Sequence, residues 1–337
     1  MIPMLDLIVP HYTEPWPVIE KFFAMLSLQR GVDFSQIRVT VVNDGEDHHI
    51  LDEHFRGAPY PLRQIDIPHA GVSAARNTGL RAATAEWVMF CDCDDMLSNP
   101  YSLWHFLHVL PAPKFDMLWA ELLVEDTREG VFALHTRKEQ NCVFTHAKLY
   151  RRSFLLENEC FFPEDLTFNE DSAFNAILLT FLDYRRTGKI EAPYPPYIWC
   201  WRSDSTTKTP GRRTEAILCH YERNKKVAEA HRQNMSYSRW CGMVARTCID
   251  AYFALNVRPF PADLEPMKKD FTAWYLRHKQ QWRDADLEVC RQAKEVSRSE
   301  RPYCDTDPDR GPVVDESITV SQWLKNLEEE NDHAETL

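Results

Sequence analysis

The sequence lacks any long apolar run: no window approaches the roughly 18 consecutive apolar residues that indicate a membrane-spanning helix. Its first residues show no basic segment followed by an apolar one, so a signal peptide is not expected. Cysteine occurs ten times but never as a CxxC pair, and the chain is far longer than a small disulfide-stabilised domain. These absences predict a cytoplasmic protein with reduced, mostly buried thiols, and they leave peripheral contact with a membrane open.

The composition is that of a folded globular protein, with 44% hydrophobic and 12% aromatic residues in a chain of 337. This length allows one large domain, or one domain with an appendage. The net charge of −12 is unevenly distributed, because residues 201–300 carry 19 Lys and Arg against 13 Asp and Glu. The basic stretch either faces an anionic partner or forms solvated helix faces.

Strand-like and helical segments alternate over the first hundred residues. The apolar patterns predict strands at residues 4–9, 37–42, 62–67 and 87–91, and helices at 17–29, 49–55 and 73–83. Repeated strand–helix units predict a mostly parallel, Rossmann-like sheet flanked by helices, with Pro10 ending the first strand. In such sheets ligands bind at the carboxyl ends of the strands, where Asp44 and the acidic stretch after residue 91 are expected.

The remainder of the chain becomes progressively more helical. A helix is predicted at 101–110, strands near 117–124 and 131–134, and helices after residue 152 and from about residue 171. Helical spacing then predicts helices at 215–233, 237–255, 266–283 and 318–330, with a Pro- and Asp-rich linker at 300–316. The expected fold class is therefore α/β, with a helical C-terminal extension.

An apolar run from Trp87 to Cys91 ends abruptly in three carboxylates, Asp92, Asp94 and Asp95. Unpaired carboxylates are unfavourable to bury, so they are expected at the mouth of a strand rather than inside it. Side chains two apart on an extended chain share a face, so Asp92 and Asp94 would point the same way and could hold one Mg²⁺ or Mn²⁺ ion. The alternative is a solvated acidic turn that caps the next helix.

Five short motifs follow one another along the chain: Leu7–Tyr12, Val41–Gly45, Gly71–Gly79, Phe90–Asp95 and Asn169–Asp171. Their order and spacing resemble the family-2 glycosyltransferases with the GT-A fold, over about residues 4–207. The resemblance implies a catalytic domain at 1–210, with nucleotide-sugar binding over about 1–100 and the acceptor half over about 101–210. Residues 211–337 carry no such motif and are expected to form a mostly helical region.

The resemblance also implies roles for individual residues. The nucleotide-sugar is expected to contact Pro10, Tyr12, Glu14, Asp44, Arg76, Asn77, Asp92 and Arg202. The metal ion, Mn²⁺ or Mg²⁺, is expected on Asp94 and Asp92. His146 or His220 could complete the metal shell, although ordinary surface histidines are the simpler interpretation.

Several of these roles have structural alternatives. Arg76 either reaches toward the diphosphate, because its forked donors suit phosphate, or lies buried and paired with an aspartate such as Asp92. Arg202 either neutralises the leaving group or is a loop arginine in solvent. The segment Asn43–Gly45 either presents Asp44 to the nucleotide or is a plain turn.

Glu170 and Asp171 precede an apolar helix, where carboxylates ordinarily cap the N-terminus. The resemblance instead implies that Asp171, with Glu170 beside it, is the general base; if exposed, it would titrate near its reference pKa of about 4. The implied reaction is a metal-assisted, inverting transfer from a nucleotide-sugar, with a UDP-sugar expected. The acceptor hydroxyl could belong to a glycan, a lipid-linked or polymeric acceptor or, without direct support, a nucleic acid.

Two other functions compete with glycosyl transfer. A sugar-phosphate nucleotidyltransferase would need a glycine-rich, basic loop directly after the first strand, whereas His11–Pro15 contains no glycine. A non-catalytic nucleotide-sugar or glycan-binding protein of the same fold is the main alternative. The complete set of acidic motifs favours an enzyme over such a binding protein.

Overall fold

The computed structural model describes residues 2–45, 57–128, 131–137, 144–167, 169–202, 213–285, 313–314 and 317–335. The helix predicted at 49–55 and most of the linker predicted at 300–316 lie outside these residues. The chain divides into two compact units, Met1–Lys208 and Thr209–Leu337. Among the described residues, no helix combines the length and the apolar character that a membrane crossing requires.

The first unit is built on a seven-stranded sheet and a smaller four-stranded sheet. Its described strands are β1 (Leu5–His11), β2 (Ile37–Asp44), β3 (Leu62–Ile67), β4 (Trp87–Phe90), β5 (Met96–Leu97), β6 (Met117–Trp119), β7 (Leu122–Arg128), β8 (Val131–Arg137), β9 (Lys148–Arg151), β10 (Thr187–Lys189) and β11 (Tyr197–Trp199). The large sheet has the order β10-β6-β9-β4-β1-β2-β3 and is parallel except for β9, which runs antiparallel to β4 and β6. The small sheet has the order β5-β11-β7-β8. This topology confirms the predicted α/β class.

Helices pack around these sheets. Within the described part of the unit they are α1 (Trp16–Ser27), α2 (Val72–Ala82), α3 (Ser102–His108), α4 (Arg152–Glu157) and α5 (Glu170–Phe181). Helix α1 buries Ile19, Phe22, Phe23 and Leu26, whose three- and four-residue spacing forms one apolar stripe. The six described cysteines form no disulfide, and all of them except Cys200 are buried.

All seven residues of the interior strand β1 are buried. The expectation that Pro10 ends this strand is wrong: β1 continues to His11, and Pro10 pairs in register with Val42. Ile8 O accepts a hydrogen bond from Cys91 N at 3.0 Å, so the backbone of Ile8 faces β4. The backbone nitrogen of Pro10, two residues later, faces the same side, but the pairing with β4 has already ended there. Proline is tolerated because it removes no hydrogen bond from the ladder there.

Helix α2 approaches β1 closely because Gly79 has no side chain. A Cβ atom at Gly79 would lie 2.3 Å from Cγ2 of Ile8. Asp6, buried in β1, accepts hydrogen bonds from the backbone N–H groups of Thr84 and Ala85 at 2.6 and 2.8 Å. These contacts fix the turn between α2 and β4, and they set where the side chains of α2 lie relative to the strand ends.

The second unit is mostly helical, as predicted. Its described elements are α6 (Arg213–Ala230), α7 (Tyr237–Leu255), α8 (Glu265–Asp284) and α9 (Val320–Glu335), with the short strands β12 (Val257–Arg258) and β13 (Val313–Val314). Its core contains the stacked rings of Phe271 and Trp323 together with Trp274. Lys225, from the basic stretch, pairs with Asp270 at 2.7 Å, so its charge is compensated within the unit.

Gly79→Ala is expected to lower the free energy of unfolding by about 1–3 kcal/mol, the usual effect of overpacking a core. In an uncrowded helix the same change would stabilise the protein by about 1 kcal/mol, so the sign of the effect tests the close approach. The partly exposed neighbour offers a control, Thr78→Ala, which is expected to change stability by no more than about 0.5 kcal/mol. Urea unfolding measures both variants, and a more stable Gly79→Ala protein would contradict the packing.

Candidate active site

The motifs converge at the carboxyl edge of the large sheet. The parallel strands β1, β2 and β4 end there at His11, Asp44 and Phe90, and the acidic stretch follows β4 directly. Helix α2 begins beside them, after Gly71, whose φ of 94° is a conformation that glycine adopts readily. The first turn of α5 completes the group through the contact between Glu170 and helix α2.

Asp44 is buried and holds the backbone that leads into α2. Its carboxylate accepts hydrogen bonds from Ala70 N at 2.7 Å, Gly71 N at 2.9 Å and His69 Nδ1 at 3.0 Å. The imidazole of His69 stacks on the ring of Tyr12, with centroids 4.1 Å apart and an angle of 15° between the planes. The exposed groups at this strand end are therefore Tyr12 and His69, with Asp44 behind them.

The turn after β1 is fixed by its own polar groups. His11 Nδ1 lies 3.1 Å from Asn43 Oδ1 and its Nε2 lies 3.0 Å from the carbonyl oxygen of Glu14. The carboxylate of Glu14 accepts a hydrogen bond from Tyr12 N at 2.9 Å. Pro10 is buried within β1, so the flat surface available at this end is the ring of Tyr12 rather than Pro10.

The acidic stretch forms a turn, and the expectation of an extended chain there is wrong. Asp95 N donates a hydrogen bond to Asp92 O at 3.2 Å, which closes the turn and breaks the two-residue alternation of an extended chain. Asp95 points inward, where its carboxylate accepts hydrogen bonds from Tyr197 Oη at 2.9 Å and Cys200 N at 2.8 Å. Burial raises the pKa of Asp95 well above its ordinary value.

Asp92 lies between the side chains of Arg76 and His146. Its Oδ1 is 2.7 Å from Arg76 Nη2, and its Oδ2 is 3.0 Å from His146 Nε2. Burial alone would raise the pKa of Asp92, but the charges of Arg76 and His146 outweigh it and lower that pKa. The ion pair with Asp92 likewise overcomes burial and raises the pKa of His146, which also lies 3.4 Å from Asp95 Oδ2.

The side chain of Asp94 is 29% exposed, close to the 26% of Asp92, whereas Asp95 is buried. Arg202 Nη1 lies 3.0 Å from Asp94 Oδ2, so this arginine reaches the acidic turn and is not a loop arginine in solvent. Burial and the charge of Asp92 raise the pKa of Asp94, and Arg202 partly offsets them. Glu14 also acts on Asp94 electrostatically, which brings the turn after β1 into the same acidic group.

Arg76 adopts the buried, paired arrangement that the sequence left open as an alternative. Its side chain is 3% exposed, and Nη1 lies 2.9 Å from Glu170 Oε1 while Nη2 contacts Asp92. Burial alone would lower the pKa of Arg76, but the carboxylates of Asp92 and Glu170 raise it overall, so the guanidinium stays charged.

Asn77, the next residue of α2, does not face the strand ends with the other predicted residues. Its Nδ2 donates to Phe162 O and to Glu164 Oε1, both at 2.9 Å, and its Oδ1 accepts from Phe162 N at 2.9 Å. All three hydrogen bonds go to the segment that precedes α5. The amide of Asn77 therefore holds this segment in place.

Asp171 lies in the first turn of α5, after Asn169, whose φ of 59° is left-handed. Its Oδ1 accepts a hydrogen bond from Ser172 N at 2.6 Å. Burial and the neighbouring Glu170 raise the pKa of Asp171 to about 7, against the opposing charges of Arg76 and His146. The condition for a pKa of about 4, a fully exposed carboxylate, is not met because Asp171 is only partly exposed.

The donor set of the acidic turn fits a hard divalent cation. One ligand atom each from Asp92, Asp95 and His146 lies within 4.8 Å of the others. The oxygens of Asp95 are already hydrogen-bonded, whereas Asp94 presents a partly exposed carboxylate beside them. Carboxylate oxygens are the ligands that Mg²⁺ and Mn²⁺ prefer, so the turn can take either ion.

Three residues at the site carry no distinct signal in the sequence. His146 has no metal-ligand spacing to any other histidine. The hydroxyl of Tyr197 accepts a hydrogen bond from Asp92 N, although the two residues are 105 positions apart in the chain. His69 precedes the Gly71–Gly79 motif without belonging to it. Only the folded chain brings these side chains to the carboxylates; the side chain of His220 lies outside the described part of the chain.

Comparison with known proteins gives one family. The model for the glycosyl transferase family 2 matches residues 6–176. The uncharacterised glycosyltransferase EpsJ of Bacillus subtilis (strain 168) is 26% identical over 231 residues, which cover 62% of this chain and 64% of EpsJ. The poly(ribitol-phosphate) beta-N-acetylglucosaminyltransferase TarS of Staphylococcus aureus is 25% identical over 187 residues, 50% of this chain and 31% of TarS. The chain thus spans less than two thirds of the length of these relatives.

Solved structures share the fold. The crystal structure of S. aureus TarS 1–349 has a TM-score of 0.60 at 18% identity, and the match covers 94% of this chain and 98% of that one. The same segment in complex with UDP-GlcNAc has a TM-score of 0.57 at 18% identity, with coverage of 88% and 92%. This likeness confirms the predicted type of fold.

Proposed function

The chain belongs to the glycosyl transferase family 2, and from this premise we propose that it transfers a sugar from a UDP-sugar to an acceptor hydroxyl, with inversion at the anomeric carbon. The observation that carries the proposal is the position of Asp171, a carboxylate linked through Glu170 and Arg76 to the acidic turn after β4. We assign donor binding to about residues 1–100 and acceptor binding to about residues 101–210. The acceptor is a glycan, a lipid-linked saccharide or a polymer.

The strand ends support a nucleotide donor. Tyr12 and His69 offer exposed, stacked rings on which a base can pack, and Asp44 holds the backbone that leads from them into α2. TarS, which shares the fold, has been solved with UDP-GlcNAc and with UDP. A uridine nucleotide is therefore the donor that we propose, with the sugar left open.

The acidic turn supports a metal-assisted reaction. Asp94 is the residue that we propose to hold Mn²⁺ or Mg²⁺, with Asp92 behind it. A bound divalent ion would stabilise the negative charge of the leaving diphosphate. Arg202, 3.0 Å from Asp94, adds a fixed positive charge at the same place.

The transfer itself needs one proton acceptor and no protein nucleophile. The acceptor hydroxyl gives its proton to Asp171 as its oxygen forms the bond to the anomeric carbon. The bond from that carbon to the β-phosphate oxygen breaks, and its electron pair leaves with UDP. Attack opposite to the leaving group inverts the configuration, so an α-linked donor gives a β-linked product.

Two other functions can be separated from this one by experiment. A non-catalytic binding protein of the same fold would bind UDP-sugars without consuming them. A nucleotidyltransferase would instead form a UDP-sugar from a sugar 1-phosphate and UTP, with release of pyrophosphate. Slow release of UDP from UDP-GlcNAc in the presence of Mn²⁺, together with a β-linked product in NMR, would support glycosyl transfer over both.

Asp171→Asn is expected to lower transfer by a factor of about 10²–10⁴, the usual contribution of a positioned general base. The change is nearly isosteric, so UDP affinity measured by calorimetry should stay near that of the wild type. Asp165→Asn, which alters an exposed carboxylate six residues earlier, is the control and should keep full transfer. Wild-type turnover by Asp171→Asn would exclude it as the base and direct attention to Glu170.

The rate of transfer is expected to rise with pH through about pH 7. Only ionised Asp171 accepts the proton, and its pKa is raised to about 7. The logarithm of kcat at saturating substrates should therefore increase by about one per pH unit below that value and level off above it. A plateau that extends down to pH 5 would contradict this assignment.

Asp94→Asn is expected to weaken the binding of Mn²⁺ and of UDP in the presence of Mn²⁺, because one ligand charge is removed. Calorimetry with Mn²⁺ and UDP measures both, and the wild type in EDTA should resemble the variant. Asp183→Asn, which alters a carboxylate paired with Arg185 away from the acidic turn, is the control. Unchanged Mn²⁺ affinity in Asp94→Asn would rule out this residue as the ligand.

A further inference from the structure

One buried arginine connects the two halves of the proposed site. Arg76 contacts Asp92, 16 residues later in the acidic turn, and Glu170, 94 residues later at the start of α5. The carboxylate on the donor side and the carboxylate next to the proposed base are therefore held by one planar group. Both contacts are ion pairs of 2.9 Å or less around a side chain that is 3% exposed.

The neighbouring contacts make this connection stiff. The side-chain amide of Asn77 forms hydrogen bonds with both the backbone N–H and the backbone C=O of Phe162. The ring of Phe162 stacks on Phe174 of α5, with the centroids 4.1 Å apart and an angle of 6° between the planes. The guanidinium of Arg76 also lies over the Phe162 ring, 5.2 Å from its centroid. Helix α2 thus fixes α5 through two adjacent residues, one by charge and one by hydrogen bonds.

The fork of a guanidinium is suited to this task. Arg76 gives one terminal nitrogen to each carboxylate, so the positions of Asp92 and Glu170 relative to each other are set by its plane. A lysine carries the same charge at a single point and cannot serve two carboxylates in a fixed geometry. Loss of the arginine would also leave two partly buried carboxylates without their shared partner.

We propose that Arg76 is a positioning residue of the transfer reaction, which fixes the donor-side carboxylate Asp92 and the base segment Glu170–Asp171 in one arrangement. The inference rests on the proposed function, because it concerns how Asp171 is positioned relative to the acceptor hydroxyl. Arg76 acts through these carboxylates and not by contact with the reacting atoms. Its effect should therefore fall on transfer to the acceptor more than on nucleotide binding.

The experiment compares Arg76→Lys and Arg76→Gln with the matched changes at Arg81, which lies on the same helix and is 55% exposed. For each protein, UDP affinity with Mn²⁺, kcat and KM for the acceptor, and hydrolysis of UDP-GlcNAc without acceptor are measured. Arg76→Lys is expected to lower kcat for transfer about 10²-fold, the effect of a misplacement of about 1 Å. UDP affinity should change less than about threefold, and hydrolysis should rise relative to transfer. The Arg81 variants should match the wild type.

The pH profile separates positioning from a purely structural role. Arg76, Glu170 and His146 are the charged groups that act on Asp171, and Arg76 opposes the rise in its pKa. Arg76→Gln removes this charge, so the acidic limb of the plot of kcat against pH should move to higher pH. Arg76→Lys keeps the charge, so the limb should stay in place although kcat has fallen.

Glu170→Gln keeps the pair between Arg76 and Asp92 and removes the charge that pairs Arg76 with α5, so it tests the bridge even if the Arg76 variants do not fold. It also removes a charge that raises the pKa of Asp171, so transfer is compared at a pH well above 7. It should lower transfer while leaving UDP affinity unchanged. Variants at Arg76 and Glu170 that transfer like the wild type would overturn the inference alone. Equal losses in UDP affinity and kcat in Arg76→Gln, with the acidic limb of its pH profile unmoved, would also overturn the inference. Arg76 would then act on the donor. A wild-type chain that consumes no UDP-sugar would overturn the proposed function and this inference together.

Discussion

The buried ion pairs of Arg76 are the interaction on which the arrangement of the site depends. A guanidinium taken out of water is tolerated only with close partners, and here Asp92 and Glu170 supply them. Removing one partner from such a group typically destabilises a protein by about 3–5 kcal/mol. The end of β4, helix α2 and the start of α5 are therefore held together by charge as well as by packing.

Three carboxylates within four residues acquire different properties from their surroundings. Asp92 has a lowered pKa because Arg76 and His146 face it, whereas Asp95 has a raised pKa because it is buried beside the carboxylates of Asp94 and Asp92. Asp94 keeps a partly exposed face beside Arg202. The division separates a carboxylate that organises the turn, one that anchors it to β11, and one that can meet a ligand.

The scaffold explains why the arrangement can be so closely defined. The parallel strands bring their carboxyl ends to one edge, and Gly79 lets α2 lie against β1 with only 2.3 Å between a hypothetical Cβ and Ile8 Cγ2. Asp6 then fixes the chain between α2 and β4. Because interiors are close-packed, a shift of α2 would be felt at Arg76 and at both carboxylates that it holds.

The sequence by itself determined the α/β class, the alternation of elements and the position of the acidic stretch after β4, because hydrophobic periodicity and motif order are local properties. The predicted strand at 62–67 and the predicted helix at 237–255 have the bounds that the structure shows. Only the tertiary structure decided that Asp92–Asp95 forms a turn, that His146 contacts it, and that the pKa of Asp171 is raised. The contacts of the turn with His146 and Tyr197 join residues 54 and 105 positions apart in the chain, and the pKa of Asp171 depends on burial and on the charges packed around it. Local patterns do not encode these features.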